Sequence, residues 1–256
     1  MRRRGAPAHG YADPVTDGPL PAPDPAATSA GDPTARPRGC FVSFEGGDGA
    51  GKTTQRDLLG QWLRGLGHDV VLTREPGGTE LGQVLRGALL HGDDVDPRTE
   101  ALLYATDRAH HVHHLVRPAL DRGAVVVTDR YLDSSVAYQG AARALGADEV
   151  RALSLWATDG LLPDLTVLLD LEPAVAAARR TGQPDRIERE PTAFHARVRE
   201  HFLELAAAEP GRYLVVDATL PPEQVQERVR DRLAPILPAR PAADRAPADR
   251  VAGSPA

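Results

Sequence analysis

Residues Gly46-Gly47-Asp48-Gly49-Ala50-Gly51-Lys52-Thr53 satisfy the spacing G-x-x-x-x-G-K-[ST]. Glycines at 46, 47, 49 and 51 let a backbone wrap with its N–H groups turned inward, which makes a nest for phosphate oxygens. In such a loop the lysine reaches the β and γ phosphates of a nucleotide and the hydroxyl at 53 can ligate Mg²⁺. Of the 30 basic residues in the chain, Lys52 is the only lysine. A biased composition accounts for the 29 arginines elsewhere. An enclosed loop explains the exception, because it has room for a narrow ammonium and not for a planar guanidinium fork. A flexible turn with no ligand is the plain alternative, and the sequence on either side of the loop argues against it.

That sequence is a strand before the loop and a helix after it. Five short apolar runs, at 40–45, 69–75, 124–130, 165–171 and 212–218, lack the strict alternation of half-exposed strands, so both faces are expected to be covered. Between them lie helical patterns. Leu58, Leu59, Trp62, Leu63 and Leu66 follow one 3.6-residue period closed by Gly67, and Leu81, Val84, Leu85, Ala88 and Leu89 follow another. A long helix is expected from about Arg98 to Asp121, closed by Gly123, and Glu172-Pro173 opens a further one. Two more are marked by Phe194, Val198, Phe202 and Leu205, and by Val225, Val229 and Leu233. Strands alternating with helices predict an α/β fold: a doubly wound five-stranded parallel sheet with flanking helices, binding its ligand at the carboxyl ends of the strands. Residues 1–38 and 238–256 are rich in Pro, Ala and Asp, carry no apolar period and read as disordered tails around one domain at 39–237.

A net charge of -6 gives no electrostatic footprint for general nucleic-acid binding. The single cysteine, Cys40, excludes an internal disulfide framework and reads as a small buried residue at the start of a strand. No run is long enough to span a bilayer, and the basic start MRRRG is not followed by an apolar segment, so a cytoplasmic location is expected. The histidines at 110, 111, 113 and 114 invite a metal reading, but no acidic ligand joins them at a suitable spacing.

Further stretches narrow the phosphate chemistry. A guanine-reading N-K-x-D requires a second lysine, which the chain lacks. "VLLDLE" at 167–172 imitates the acidic strand of a motor ATPase, but an acidic single domain has little room for a polymer track. "TREPGGT" at 73–79 follows the second strand, and "VTDRYLDSSVAYQ" at 127–139 leaves the third. With "LLYATDRAHH", "PDLTVLLDL" and "DRIE" in the same order, residues 40–235 resemble the thymidylate kinase family of nucleoside-monophosphate kinases.

The resemblance implies transfer of a phosphoryl group from ATP to dTMP, with Mg²⁺, in a homodimer. It implies that Tyr104 stacks on thymine and that Arg108, four residues on, bonds the base. Arg130 holds the acceptor phosphate, Tyr138 crowds the sugar 2′ position, and Asp48 lies near the sugar and the metal. Asp129 is placed by the same resemblance near the metal and phosphates, while Glu75, Pro76, Ser135 and Gln139 complete the dTMP contacts. Some relatives carry an arginine where this chain has Gly49. The missing charge is then expected from a short lid at about 178–190, through Arg179, Arg180 or Arg186. A dCMP/CMP or deoxynucleoside kinase is the near alternative, and a nucleic-acid ATPase the distant one.

Overall fold

The computed structural model describes residues 38–179 and 183–238. Five strands, β1 (Cys40–Glu45), β2 (Val70–Arg74), β3 (Val125–Asp129), β4 (Leu165–Asp170) and β5 (Tyr213–Asp217), form one sheet in the order β2-β3-β1-β4-β5, and every pairing is parallel. All six residues of β1 are buried, as expected of a central strand covered on both faces, whereas β2 and β5 at the edges keep partly exposed positions.

Helices α1 (Lys52–Gly65) and α9 (Pro222–Leu233) cover one face, where Leu59, Leu63, Val229 and Leu233 close over Val42, Phe44 and Val127. The opposite face is covered by α3 (Pro97–His111), α4 (Arg117–Asp121), α5 (Leu132–Ser135) and α8 (Thr192–Ala208), with Phe41, Val126 and Tyr131 in one cluster and Leu168, Phe194 and Phe202 in another. The remaining helices are α2 (Glu80–His91), α6 (Ala147–Ala157) and α7 (Pro173–Arg179).

The expected helix at 98–121 is interrupted. A π-helical turn, Val112–Val116, separates α3 from α4, and the Arg117 N–H reaches back five residues to the Val112 carbonyl. Pro118, which has no N–H to give, follows at once. A second π turn, Val136–Ala142, continues α5. Neither α5 nor α6 is marked by the sequence pattern: α6 buries only Val150 and Ser154, too few for a readable stripe. The expected tails lie outside the described residues, apart from their inner end positions 38 and 238.

The strand order reverses between β1 and β3, which are neighbours although β2 lies between them in sequence. Asp129 pairs with Phe44 on one side and with Arg74 on the other, so three strand ends open side by side at a switch point.

Candidate active site

The loop at 46–51 leaves β1 and runs into the first turn of α1. Gly51 caps α1 with a left-handed backbone and no side chain, and no acidic residue sits in the first turn, so the positive helix end faces the loop without an internal counter-charge. Lys52 is buried, and its Nζ donates to the Gly46 carbonyl at 3.1 Å and the Gly47 carbonyl at 2.8 Å. Burial, and then the nearby Arg130 charge, lower the affinity of this amine for its proton, against the opposing pull of Asp48 and Asp129. Gly49 has φ 92, and a Cβ built there lies 2.4 Å from the Ala176 carbonyl of α7. No side chain fits between loop and helix at that point.

Arg130, just past β3, adopts a left-handed backbone (φ 69) that is unusual for a non-glycine residue. The turn is held by its N–H on the Phe44 carbonyl at 2.9 Å and by the Thr128 hydroxyl on its own carbonyl at 2.9 Å. Glu45, fully buried, accepts from the Tyr131 N–H at 2.8 Å and from the Ser134 hydroxyl at 2.6 Å. Burial, reinforced by Asp133, pushes the Glu45 carboxyl above the carboxylate range. The Arg130 guanidinium bonds Asp48 at 2.5 Å, the Gly46 carbonyl at 3.0 Å and the Tyr138 hydroxyl at 3.2 Å. Burial alone would raise the Asp48 carboxyl. The Arg130 and Lys52 charges outweigh it and hold the group well below its ordinary value. Thr53 donates to the Asp129 carboxylate, so β3 and α1 meet at a pair of hard oxygen donors.

The far wall comes from α3 and the segment after β2. Tyr104 is half-buried against the cleft. Arg108 is only 2% exposed, and four of its five N–H groups are engaged: with Glu75 at 2.8 Å, the Ser154 and Ser135 hydroxyls at 3.2 and 3.1 Å, and the Tyr131 carbonyl at 3.3 Å. Glu75 is therefore tied to Arg108 and buried, and it lines the same cleft as Pro76. Gln139 donates to Glu100 at 2.7 Å.

Loop, strand ends and far wall enclose one cleft of about 410 Å³, lined by Lys52 and Arg130 towards one end and by Tyr104, Arg108 and Ser135 towards the other. Three further cations line it that are not marked in the sequence, Arg56, Arg74 and Arg86. Arg86 donates to the Pro76 carbonyl at 3.0 Å, and burial followed by the charge of Arg74 lowers its affinity for its proton. Arg74 stands inside the quoted "TREPGGT". Arg86 is four residues from both Gly82 and Leu90, on the buried side of α2, and an arginine in such a place is the signal that could have found it.

The three arginines expected of a lid divide. Arg179 ends α7 and donates to the Ala218 carbonyl at 2.8 Å. Arg180 lies outside the described residues. Neither Arg179 nor Arg186 lines the cleft, and Arg186 is 6% exposed, pairs with Glu100 at 2.6 Å and donates to the Leu89 carbonyl at 2.9 Å. The reason is local as well as tertiary. Asp185 accepts from the backbone N–H groups of Ile187 and Glu188, both at 2.9 Å, which turns the chain inward and buries Ile187 beside Arg186. Among the described residues no group of three or more His, Cys, Asp and Glu is placed to hold a metal ion.

The family model for thymidylate kinase matches residues 44–229. The chain belongs to the thymidylate kinase family. Among curated thymidylate kinases, that of Leifsonia xyli subsp. xyli is 62% identical over 206 residues, covering 78% of this chain and 97% of the relative. That of Clavibacter michiganensis subsp. michiganensis is 59% identical over 205 residues, with 78% and 97% covered, and that of Deinococcus radiodurans is 50% identical over 195 residues, with 75% and 95% covered. The thymidylate kinase model thus spans the phosphate loop, both cleft walls and most of the sheet.

Proposed function

We infer that the protein transfers the γ-phosphoryl group of ATP to dTMP, giving dTDP and ADP, a step in supplying dTTP for DNA synthesis. The observation that carries this is one cleft joining a phosphate loop with Lys52 to a wall bearing Tyr104 and Arg108. Donor phosphates and an acceptor nucleotide can then meet in a single space.

In this reading Gly46, Gly47, Gly49, Ala50 and Gly51 offer backbone N–H groups to the phosphates of ATP. Lys52 exchanges the Gly46 and Gly47 carbonyls for the β and γ oxygens, and Arg130 draws the acceptor phosphate towards them. Phosphoryl transfer asks for placed positive charge more than for a nucleophilic side chain. Arg74 and Arg86 add charge at the acceptor end, and Arg179 and Arg180 supply it from the lid side. Arg186 is assigned to anchoring the lid, given its burial on Glu100.

Tyr104 stacks on the base, with Pro76, Ser135 and Gln139 around it. The remaining N–H of Arg108 meets an acceptor in thymine and a donor in cytosine. A mismatch there costs on the order of 1–3 kcal/mol. Glu75 positions Arg108, and Tyr138 with Asp48 lies at the sugar.

Mg²⁺ fits this oxygen-rich corner. The Thr53 hydroxyl and Asp129 carboxylate are hard donors already in contact, few protein ligands suffice when phosphates complete the shell, and Asp48 is committed to Arg130. Thr53 and Asp129 would hold the ion, which would supply neutralisation of phosphate charge. A homodimer and a cytoplasmic location are proposed on the family likeness. No helix among the described residues is long and apolar enough to cross a membrane.

The test is ADP formation by the purified protein with ATP, Mg²⁺ and dTMP, CMP, AMP or UMP. Turnover should be far faster with dTMP, and equal rates across the four acceptors refute the assignment.

A further inference from the structure

His111 differs from the histidines around it. It is fully buried, whereas His113 and His114 are exposed and His110 is half-buried. Tyr104, Arg108 and His111 fall at i, i+4 and i+7 of α3, on one face, and the π turn begins at the next residue. The ring is held at both nitrogens: Nδ1 lies 2.8 Å from Glu75 Oε1, and Nε2 lies 2.7 Å from Thr73 Oγ1.

A carboxylate oxygen accepts, so Nδ1 carries the proton and Nε2 is free to accept the Thr73 hydroxyl. The other oxygen of Glu75 accepts from Arg108 Nε at 2.8 Å. Thr73, His111, Glu75 and Arg108 form one chain of bonds, and Glu75 cannot rotate without breaking the bond on one side or the other. The backbone of Gly78 rests on this chain. A Cβ there lies 2.6 Å from Thr73 Oγ1 and 2.7 Å from the His111 ring, so the cleft wall after Pro76 is seated on the same pair.

We propose that His111 is a positioning residue for nucleobase selection: through Glu75 it fixes the orientation in which Arg108 presents its remaining N–H to the base. The proposal rests on the reading of Arg108 as the base-facing residue. His111 itself does not line the cleft, and its effect is relayed.

The experiment compares His111→Leu, His111→Asn, His111→Gln and Arg108→Ala in the full chain, measuring kcat, KM for ATP, KM for dTMP and the dTMP-to-dCMP ratio of kcat/KM. His111→Leu should raise the KM for dTMP at least about tenfold, the scale of one charge-assisted hydrogen bond. Its kcat and its KM for ATP should stay within about twofold, since the phosphate loop is untouched. The base ratio should fall about tenfold, in the same direction as in Arg108→Ala. His111→Asn, whose amide can take the place of Nδ1, should recover most of the loss.

If Arg108→Ala lowers the ratio and His111→Leu leaves it unchanged, His111 has no positioning role. If Arg108→Ala leaves the ratio unchanged, the base-facing reading falls and this proposal with it. Should His111→Leu fail to fold, His111→Gln decides, because its amide takes the place of Nε2 and leaves Glu75 unserved. Equal KM values for dTMP in the Gln and Asn variants overturn the proposal.

Discussion

Replacing Glu100 with alanine should unfold the protein at a much lower temperature, even though Glu100 is outside the phosphate-binding end. Its carboxylate is fully buried and receives Gln139 at 2.7 Å, Arg143 at 3.3 Å and Arg186 at 2.6 Å. At an effective dielectric of 20, the closest pair attracts by about 6 kcal/mol, most of it offset by desolvation of both ions. Removing only the carboxylate keeps the desolvation cost of Arg186 and abolishes its compensation. Breaking a buried pair in this way costs about 3–5 kcal/mol. Arg143 retains Glu190 at 2.6 Å and adds little.

With about 2–4 °C of Tm per kcal/mol for a domain of this size, the fall is roughly 6–20 °C. The assay is thermal and urea unfolding of the wild type, Glu100→Ala and the double variant Glu100→Ala, Arg186→Met. The double variant should recover at least half of the loss, because neither charge is then left buried alone. Salt at about 1 M should change the difference little, since a buried pair is poorly screened. A loss below about 1 kcal/mol in the single variant, or no recovery in the double, refutes the account.

Lys52→Arg should lower kcat/KM for ATP at least about tenfold while the melting temperature moves by only a few degrees, because a planar fork cannot occupy the space between the Gly46 and Gly47 carbonyls; wild-type kinetics in this variant would show that the loop is wider than described. Burial, and then the charge of Glu75, push the Asp107 carboxyl up to about 6. The folded value lies above the unfolded one, so the fold favours the neutral acid. Its contribution is complete below the unfolded pKa of about 4 and is lost as pH rises through about 6, up to roughly 3 kcal/mol. Between those limits the wild type should lose stability relative to Asp107→Asn, and parallel pH profiles in urea unfolding would contradict this.

The central strands were legible in the sequence because a parallel strand covered on both faces is a continuous apolar run, as Cys40–Glu45 shows. The π turn at Val112–Val116 was not, because it rests on one backbone bond and a proline whose effect no apolar period reports. In the site, Lys52 and Thr53 could be read from spacing within eight residues, and Asp129 and Arg130 from their place at a strand end. Arg74, Arg86 and His111 could not be read that way. Helical spacing on α2 offers a local mark only for Arg86; what the three do arises where α2, α3 and the end of β2 converge. Arg186 shows the opposite failure. The charged stretch "PDRIERE" looks like a solvated loop, yet Glu100 on a distant helix draws one of its arginines inside.

The contact between Gly49 and the Ala176 carbonyl ties two parts of the chain into one inheritable unit. A substitution at 49 has no route to acceptance while α7 keeps its course, and α7 leads directly into the lid segment. Adding a side chain at 49 therefore takes coordinated change at both places, since the single step passes through a molecule with a collision at its glycine loop. An engineer wishing to place an arginine at 49 must redraw α7 first.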